Sequence, residues 1–436
     1  MKYSYHRGIG WLIIYVIVAL VPLAIALIGQ FDITRGFGTE LGTATGFLGL
    51  GLFALQFVIS GRIKHVAPSY GMDNIIQYHR EIGIIAFILI LSHPIILFIS
   101  DPSFLAFLDV SVDALRAISL IFLLMVLFTI LATSLKRTLF NLSYEKWRLL
   151  HGICAVLILY GGLIHAFQVS WYTDPLWKKA TLSVFVVVCS FALFYSRLIR
   201  PWKNKRKPYI IQKVIPERGQ STTITLLPEN HEKMKYVAGQ FAWLTVGETP
   251  FSLQQHPFSF TSSELSQEIS FTAKEFGDFT SKWKHFKPGT KVFLEGPFGS
   301  FTPEPNHDIF MIMGGIGITP AMSMLRTFVD TKGKRKIKLI YGNQTIENIT
   351  FREELEDLSK KLNLQVIHLL SEPPESWQGE TGFVNQSLLK KHLPANPNQY
   401  MYFICGPDPL MDAAEYALRN LKIDWRNIYT ERFQIV

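Results

Sequence analysis

The sequence contains few cysteines and few charges for its length. It has 436 residues, of which three are cysteines (Cys154, Cys189 and Cys405), and these lie far apart. An odd and scattered set of this kind provides no disulfide framework. Charged residues make up 18% of the chain and hydrophobic residues 49%, and the mean hydropathy is positive. These proportions are typical of a membrane protein that also carries soluble parts, and the length allows two or three domains.

The net charge of +9 does not indicate a nucleic-acid partner. Much of the basic excess lies directly beside apolar segments, where membrane topology explains it. We therefore expect a lipid bilayer, and no nucleic acid, among the partners of the chain.

Six apolar segments in the first 200 residues are long enough to cross a bilayer. They cover residues 8–28, 43–60, 75–100, 114–135, 147–168 and 181–199. Basic residues cluster before the first segment, between the second and third, between the fourth and fifth, and after the sixth, and include Arg62, Lys64 and Lys136. The positive-inside rule therefore predicts six spans with both termini in the cytoplasm, in a bacterial-type plasma membrane. Lys178 and Lys179 are the main exception to this charge pattern.

Two of these segments each carry two histidines at the same spacing. His79 and His93 are separated by 14 residues, and so are His151 and His165. Fourteen helical steps of about 100° bring two side chains to one face, roughly 21 Å apart along the axis. Both segments run from inside to outside, so parallel packing places His79 beside His151 and His93 beside His165, near the two membrane surfaces.

A pair of histidines on facing helices can bind a haem iron from both sides. A single histidine in a membrane helix is more often a packing residue, but helix packing gives no reason for the same spacing twice. The spacing therefore predicts two haems, and they are b-type because the chain lacks Cys-x-x-Cys-His. Arg80 and Arg148 lie at the level of the inner pair, where they either neutralise haem propionates or act as interfacial charges.

The pattern changes after Arg206. Residues 208–305 contain short alternating apolar runs separated by Gly, Pro and Asn, which predicts an antiparallel barrel. From residue 307 onward strand-like and helix-like runs alternate, which predicts a parallel α/β sheet that can bind nucleotides. The predicted domains are residues 1–200, 207–304 and 305–436.

Glycine-rich motifs occur at the ends of two predicted strands. Residues 314–320 read GGIGITP, directly after the strand IFMIM and before a helical run. Glycines in this position let a pyrophosphate approach the backbone at a helix N-terminus. A second turn, Cys405-Gly406-Pro407, closes a later strand.

Three further motifs follow one another in the barrel region. They are His256-Pro257-Phe258-Ser259, the segment KEFGDFT at residues 274–280, and GPFG at residues 296–299. With the glycine motifs and the histidines, they resemble the NADPH oxidase and ferric reductase superfamily over nearly the whole chain. The resemblance implies a six-helix transmembrane bundle with two b-type haems, an antiparallel FAD-binding β-barrel and an α/β nucleotide-binding domain like that of ferredoxin reductases.

The resemblance also implies roles for individual residues. His256, Pro257 and Phe258 would lie along the flavin, with Ser259 near its reactive ring nitrogen. The segment beneath the FAD pyrophosphate would comprise Lys274, Gly277, Asp278, Phe279 and Thr280. The NAD(P) pyrophosphate loop would comprise Gly314, Gly315, Gly317, Thr319 and Pro320. Cys405, followed by Gly406 and Pro407, would lie beside the nicotinamide, and Phe433 would cover the flavin.

These cofactors imply electron transfer across the membrane. Nicotinamide donates a hydride and haem iron accepts one electron, so a flavin must act between them. We expect cytosolic NADPH or NADH to reduce an acceptor on the outer side, and dioxygen, giving superoxide, is the preferred acceptor. Alternatives are a ferric or cupric chelate near Asp101, Asp109 and Asp113, or a partner protein or quinone. No basic residue follows the second α/β strand before Arg352, which leaves the choice of nucleotide open.

Overall fold

The computed structural model describes residues 5–29, 35–62, 71–305 and 307–433. Lys64, one of the predicted topogenic residues, lies outside this part of the chain. The structure divides into two compact units, one formed mainly by the helices up to Ile199 and the other by the chain from Arg200 onward.

Six long helices form the first unit. Within the described residues, six helices are long and apolar enough to span a membrane, which agrees with the six segments predicted. They are α1 (Tyr5–Leu27), α2 (Phe37–Ser60), α3 (Met72–Ser100), α4 (Ala114–Leu135), α5 (Tyr144–Val169) and α6 (Leu176–Phe194). A π-helical turn (Tyr195–Ile199) continues α6 into the short helix α7 (Arg200–Asn204).

Polar side chains define the beginnings of two of these helices. The Asp113 carboxylate accepts a hydrogen bond from the Arg116 amide at the start of α4. The Ser143 hydroxyl accepts one from the Lys146 amide at the start of α5. Such caps satisfy amide groups that have no partner inside the helix. Helix α5 therefore begins before residue 147, where the apolar run starts.

Helix α2 is the central helix of the bundle. Half of its most apolar window is buried, whereas no other span exceeds 22%. It packs against α1 and α6. Close approach to α1 depends on Gly51, because a Cβ atom there would lie 2.1 Å from the carbonyl oxygen of Ala19. Small residues that let backbones approach closely are typical of helix contacts in membranes.

Lys178, an exception to the charge pattern, is almost fully buried. Its Nζ atom donates hydrogen bonds to the carbonyl oxygens of Ala26 and Tyr172, at 3.0 and 3.2 Å. This lysine therefore ties the start of α6 to the end of α1. Because this lysine is buried in an internal contact, it is not one of the loop charges to which the positive-inside rule applies.

Six antiparallel strands form a barrel in the second unit. Their order is β4-β3-β6-β1-β2-β5, and a bridge between Phe260 and Phe271 joins the two edges. The bounds are β1 (Tyr209–Glu217), β2 (Ser221–Pro228), β3 (Phe241–Val246), β4 (His256–Ser259), β5 (Ile269–Lys274) and β6 (Lys291–Phe298), with the one-turn helix α8 (Gly277–Thr280) after β5. The interior is filled by large side chains, including the fully buried Trp283.

The rest of the second unit is a parallel sheet of order β10-β9-β8-β7-β11-β12. Its strands are β7 (Asp308–Gly314), β8 (Ile337–Asn343), β9 (Leu364–Leu370), β10 (Glu380–Thr381), β11 (Tyr400–Cys405) and β12 (Ile428–Glu431). The helices are α9 (Thr319–Asp330), α10 (Arg352–Lys361), α11 (Gln386–His392) and α12 (Asp408–Asn420). Side chains of β7 alternate between two cores, one built with α9 and α10 and the other with α11 and α12. The strand order changes direction between β7 and β11, which is where ligands bind in such sheets.

Candidate functional site

The four membrane histidines lie in two facing pairs. The ring centroids of His79 and His151 are 6.1 Å apart, and those of His93 and His165 are 6.2 Å apart. Two imidazoles that bind one metal ion from opposite sides at ~2.0–2.1 Å place their centroids roughly 6 Å apart. The structure therefore brings together the residues that the spacing pairs, at a separation that suits a shared metal ion.

Hydrogen bonds orient one ring of each pair. The Nδ1 atom of His93 lies 2.8 Å from the carbonyl oxygen of Gly42 and donates to it. The Nδ1 atom of His151 lies 3.1 Å from the hydroxyl oxygen of Ser134. That hydroxyl donates its own proton to the Ile130 carbonyl, so it accepts from His151. Protonation at Nδ1 leaves Nε2 as a lone-pair donor for a metal.

Each pair supplies the two-histidine ligand set that a b-type haem takes from a protein. Among the described residues, no group of three or more His, Cys, Asp or Glu side chains could hold a metal ion. A haem needs only two axial ligands from the protein. His93 and His165 line a cavity of about 220 Å³ whose other walls are mostly apolar, with Arg35 and Thr43 among the few polar side chains. An apolar slot with a guanidinium matches a porphyrin with carboxylate substituents.

Gly46 makes the position of the outer pair sensitive to side-chain size. A Cβ atom at Gly46 would lie 2.8 Å from Nδ1 of His93. Because real Cβ atoms do not approach so closely, the imidazole occupies this place only because residue 46 has no side chain.

The flavin motif and the segment after β5 meet in the barrel. The ring of Phe279 stacks on that of His256 with centroids 4.3 Å apart and lies parallel to Phe258 at 6.1 Å. Gly277 and Asp278 are exposed at the start of α8, whereas the hydroxyl of Thr280 accepts a hydrogen bond from the Phe276 amide. Pro257 lies in β4 opposite Trp243, and Lys274 ends β5.

Ser259 lies beside a carboxylate whose residue belongs to none of the sequence motifs described above. Its hydroxyl donates to the carboxylate of Glu431 at 3.4 Å, and both residues are buried. Glu431 is paired across the sheet with Cys405, the buried last residue of β11. Ser259 of β4, Cys405 of β11 and Glu431 of β12 thus lie close together. The sequence predicted the first two, and the structure adds Glu431. Glu431 could be found only through its place in the last strand, directly before Arg432 and Phe433.

The glycine turn packs closely on the end of β11. A Cβ atom at Gly317 would lie 2.4 Å from the carbonyl oxygen of Cys405, and one at Gly406 would lie 3.0 Å from the Cα atom of Gly314. Gly315 has a positive φ of 50°, and its carbonyl accepts a hydrogen bond from the Tyr341 hydroxyl at 2.9 Å. Burial raises the pKa of Tyr341, so this hydroxyl stays protonated and donates.

The remaining predicted residues lie around this turn. Thr319 and Pro320 are buried at the start of α9, and Pro407 is exposed before α12. Phe433 is partly buried against the sheet core. Arg432 holds this last described segment, because its guanidinium donates to Asp408, Asp412 and Glu415 at 3.1, 2.6 and 3.1 Å.

Three family models match successive parts of the chain. "Ferric reductase like transmembrane component" matches residues 45–162, "FAD-binding domain" residues 219–302, and "Oxidoreductase NAD-binding domain" residues 311–416. The chain belongs to the NADPH oxidase and ferric reductase superfamily. This result confirms the family and the predicted order of a six-helix membrane component, an antiparallel FAD domain and an α/β nucleotide-binding domain, and it identifies an oxidoreductase with FAD-binding and NAD(P)-binding domains.

Curated relatives of this superfamily member are reductases. It is 27% identical over 241 residues to the glycine betaine monooxygenase reductase subunit of Chromohalobacter salexigens, which covers 53% of this chain and 65% of the relative. It is 33% identical over 152 residues to NADH-cytochrome b5 reductase 1 of Mortierella alpina, covering 34% and 51%. It is 30% identical over 199 residues to NADH-cytochrome b5 reductase 1 of Debaryomyces hansenii, and the alignment covers 44% of this chain and 70% of the relative. The chain thus spans about half to two thirds of the first relatives' length.

Solved structures similar to this superfamily member include flavin domains of other enzymes. The FAD/NAD-binding domain of nitric oxide dioxygenase from Vibrio cholerae aligns with a TM-score of 0.47 and 18% identity, over 52% of this chain and 98% of that domain. The cytochrome b5 reductase domain of Ulva prolifera nitrate reductase aligns with a TM-score of 0.46 and 18% identity, over 52% and 97%.

Proposed function

We propose that the chain is a transmembrane flavocytochrome b that oxidises cytosolic NAD(P)H and reduces dioxygen to superoxide on the outer side. The two histidine pairs, with ring separations of 6.1 and 6.2 Å, carry this proposal, because FAD- and NAD-binding domains alone need no such pairs. The overall reaction converts one NAD(P)H and two dioxygen molecules into one NAD(P)⁺, one proton and two superoxide ions.

The residues of the second unit would bind and orient the reactants of hydride transfer. FAD, when bound, converts two-electron hydride donation into the one-electron steps that haem iron accepts. His256, Pro257 and Phe258 present one wall to it, and the Ser259 hydroxyl, hydrogen-bonded to Glu431, can hold a proton at the reacting end. The GGIG turn would take the nucleotide pyrophosphate and Cys405 would face the nicotinamide. The names of the NADH-cytochrome b5 reductase relatives support a reduced nicotinamide nucleotide as donor.

The acidic residues of the predicted outer loops give no separate support for a metal-chelate site. Asp101 caps a 3-10 turn (Pro102–Leu108) by accepting from Ser103, Asp109 accepts from Ser111, and Asp113 caps α4. Their carboxylates are therefore explained by local backbone structure, and these hydrogen bonds lower the pKa values of Asp101 and Asp109. His93 and His165 would hold the outer haem, which would supply single electrons for the reduction of dioxygen.

Membranes that contain the protein decide between these acceptors. We expect NAD(P)H-dependent dye reduction that superoxide dismutase abolishes and that needs no added metal. Dye reduction that requires a ferric chelate and resists superoxide dismutase would instead identify a metal reductase. Sealed vesicles of known orientation test the direction, because superoxide should appear on the side opposite the added nucleotide.

A further inference from the structure

We infer that this chain selects NADH over NADPH and that Glu372 is a specificity-determining residue. The inference rests on the proposed function, of which it specifies the electron donor. It is carried by the group of side chains at the carboxyl ends of β8 and β9, next to the glycine turn.

The end of β8 is where the adenosine ribose of a bound nucleotide would lie. Gly314, which opens the glycine turn after β7, is paired directly with Gly342 near the end of β8. In sheets of this strand order the pyrophosphate binds at the first turn, and the ribose that carries the 2′ group lies over the end of the next strand. The residues just after Gly342 therefore decide whether a hydroxyl or a phosphate is accepted there.

Glu372 is held at this position by two hydrogen bonds to Gln344. Its backbone amide donates to the Gln344 carbonyl at 2.8 Å, and its carboxylate accepts from the Gln344 side-chain amide at 2.8 Å. The pairing of the two segments thus continues beyond the ends of β8 and β9, and it places the Glu372 carboxylate there as a hydrogen-bond acceptor. Glu372 follows β9, but its bond to Gln344 brings its carboxylate beside the end of β8, the second strand. A carboxylate there can accept a hydrogen bond from a ribose 2′-hydroxyl, whereas it repels a 2′-phosphate.

The segment that carries Glu372 is acidic. From residue 364 to residue 389 the sequence contains glutamates at 372, 375 and 380 and neither lysine nor arginine. Arg352, the first base after β8, lies within electrostatic reach of His368 in β9, but it pairs with Glu356 at 3.5 Å, and the opposite charge of Glu356 reaches the same ring. A 2′-phosphate carries about −1.5 to −2 charges at neutral pH and would enter a field of its own sign. This field disfavours NADPH.

The test compares specificity constants of the full-length, FAD-loaded protein in detergent, with ferricyanide as acceptor so that haem plays no part. We expect kcat/KM for NADH to exceed that for NADPH by about tenfold or more, the ratio equivalent to ~1.4 kcal/mol. Glu372→Gln should lower this ratio several-fold, through a lower KM for NADPH and a higher KM for NADH, and Glu372→Lys should lower it further. Glu248→Gln, which removes an exposed charge from the barrel, serves as the matched control and should leave the ratio unchanged.

The possible results separate this inference from the proposed function. Equal or NADPH-favouring constants in the wild type overturn the inference whether or not any variant folds. An NADH preference that Glu372→Gln and Glu372→Lys leave intact, with normal FAD content, overturns the role of Glu372. Failure of the FAD-loaded wild type to oxidise either nucleotide contradicts the proposed function itself.

Discussion

At the scale of single residues, the candidate site depends on glycines, which have no side chain, as well as on the side chains that line it. Gly46 and Gly317 each leave room for a neighbour that a methyl group would displace, the His93 ring in one case and the Cys405 carbonyl in the other. The Ser259–Glu431 contact joins residues far apart in the chain. Such contacts explain why a glycine substitution can affect a cofactor that it does not touch.

Gly46→Ala should remove the outer haem and keep the inner one. The new Cβ atom would lie 2.8 Å from Nδ1 of His93, so the ring must move away from His165. Haem content should fall from about two to about one per chain in the pyridine haemochrome assay. Gly10→Ala is the matched control, because a Cβ atom there meets nothing within 4 Å, and it should keep both haems. Loss of both haems in Gly46→Ala would show a general folding defect instead.

At the scale of elements, a buried ion pair links α7 to strand β6. Nη1 of Arg200 lies 3.0 Å from Oε1 of Glu295, and the two side chains are only 15% and 8% exposed. Gln255, which precedes the flavin strand, donates to the other carboxylate oxygen at 3.2 Å. A buried carboxylate without its partner is costly, so this pair connects α7 to the strand that carries His256.

Glu295→Ala should destabilise the second unit by about 3–5 kcal/mol, because it removes the carboxylate from a buried ion pair. Glu248→Ala removes the partner of Lys291 from an exposed pair, with side chains 83% and 40% exposed, and should cost about 0–1 kcal/mol. Chemical denaturation followed by flavin fluorescence measures both. Equal effects of the two variants would show that burial of the Arg200 pair contributes nothing.

Phe433→Ala should strengthen binding of oxidised nucleotide and slow turnover. If the ring covers the flavin, nicotinamide must displace it, and an aromatic contact contributes about 0.5–1.5 kcal/mol beyond burial. Arg432 bonds to three carboxylates of α12 and so holds the neighbouring Phe433 ring beside the sheet core. Isothermal titration with NAD⁺ and steady-state kcat measure the two effects, with the exposed Phe383→Ala as control. A loss of FAD without tighter nucleotide binding would identify Phe433 as a packing residue.

Helices and strands were predictable from the sequence where the patterns that indicate them involve only neighbouring residues. Hydropathy located six spans, and glycines and alternation located the barrel and the sheet, because these depend on neighbouring residues. Caps such as Ser143 moved helix starts outward from the apolar runs. The burial of Lys178 against Ala26 and the contact of Ser259 with Glu431 depend on side chains over a hundred residues apart, and nothing in the local sequence marks them.

At the scale of the whole molecule, the order of the domains agrees with NAD(P)H-driven electron transfer across a membrane. The family models place a ferric-reductase-like membrane component before the FAD- and NAD-binding domains. The two histidine pairs lie on α3 and α5, which the charge pattern predicts to run in parallel across the membrane. The proposed electron path would use a haem at each pair to carry electrons past the bilayer centre, so the proposal depends on those pairs more than on any other feature.

Haem counting in single and paired histidine variants tests this claim most directly. We predict two b-type haems per chain in the wild type and one in each of the single alanine variants of His79, His93, His151 and His165. The same-pair double variant His79→Ala/His151→Ala should still hold one haem, whereas the cross-pair variant His79→Ala/His93→Ala should hold none. His231→Ala, in the barrel unit, should keep both. A single membrane-histidine variant that retains two haems, or a folded same-pair double variant that retains none, would contradict the pairing and with it the proposed electron path.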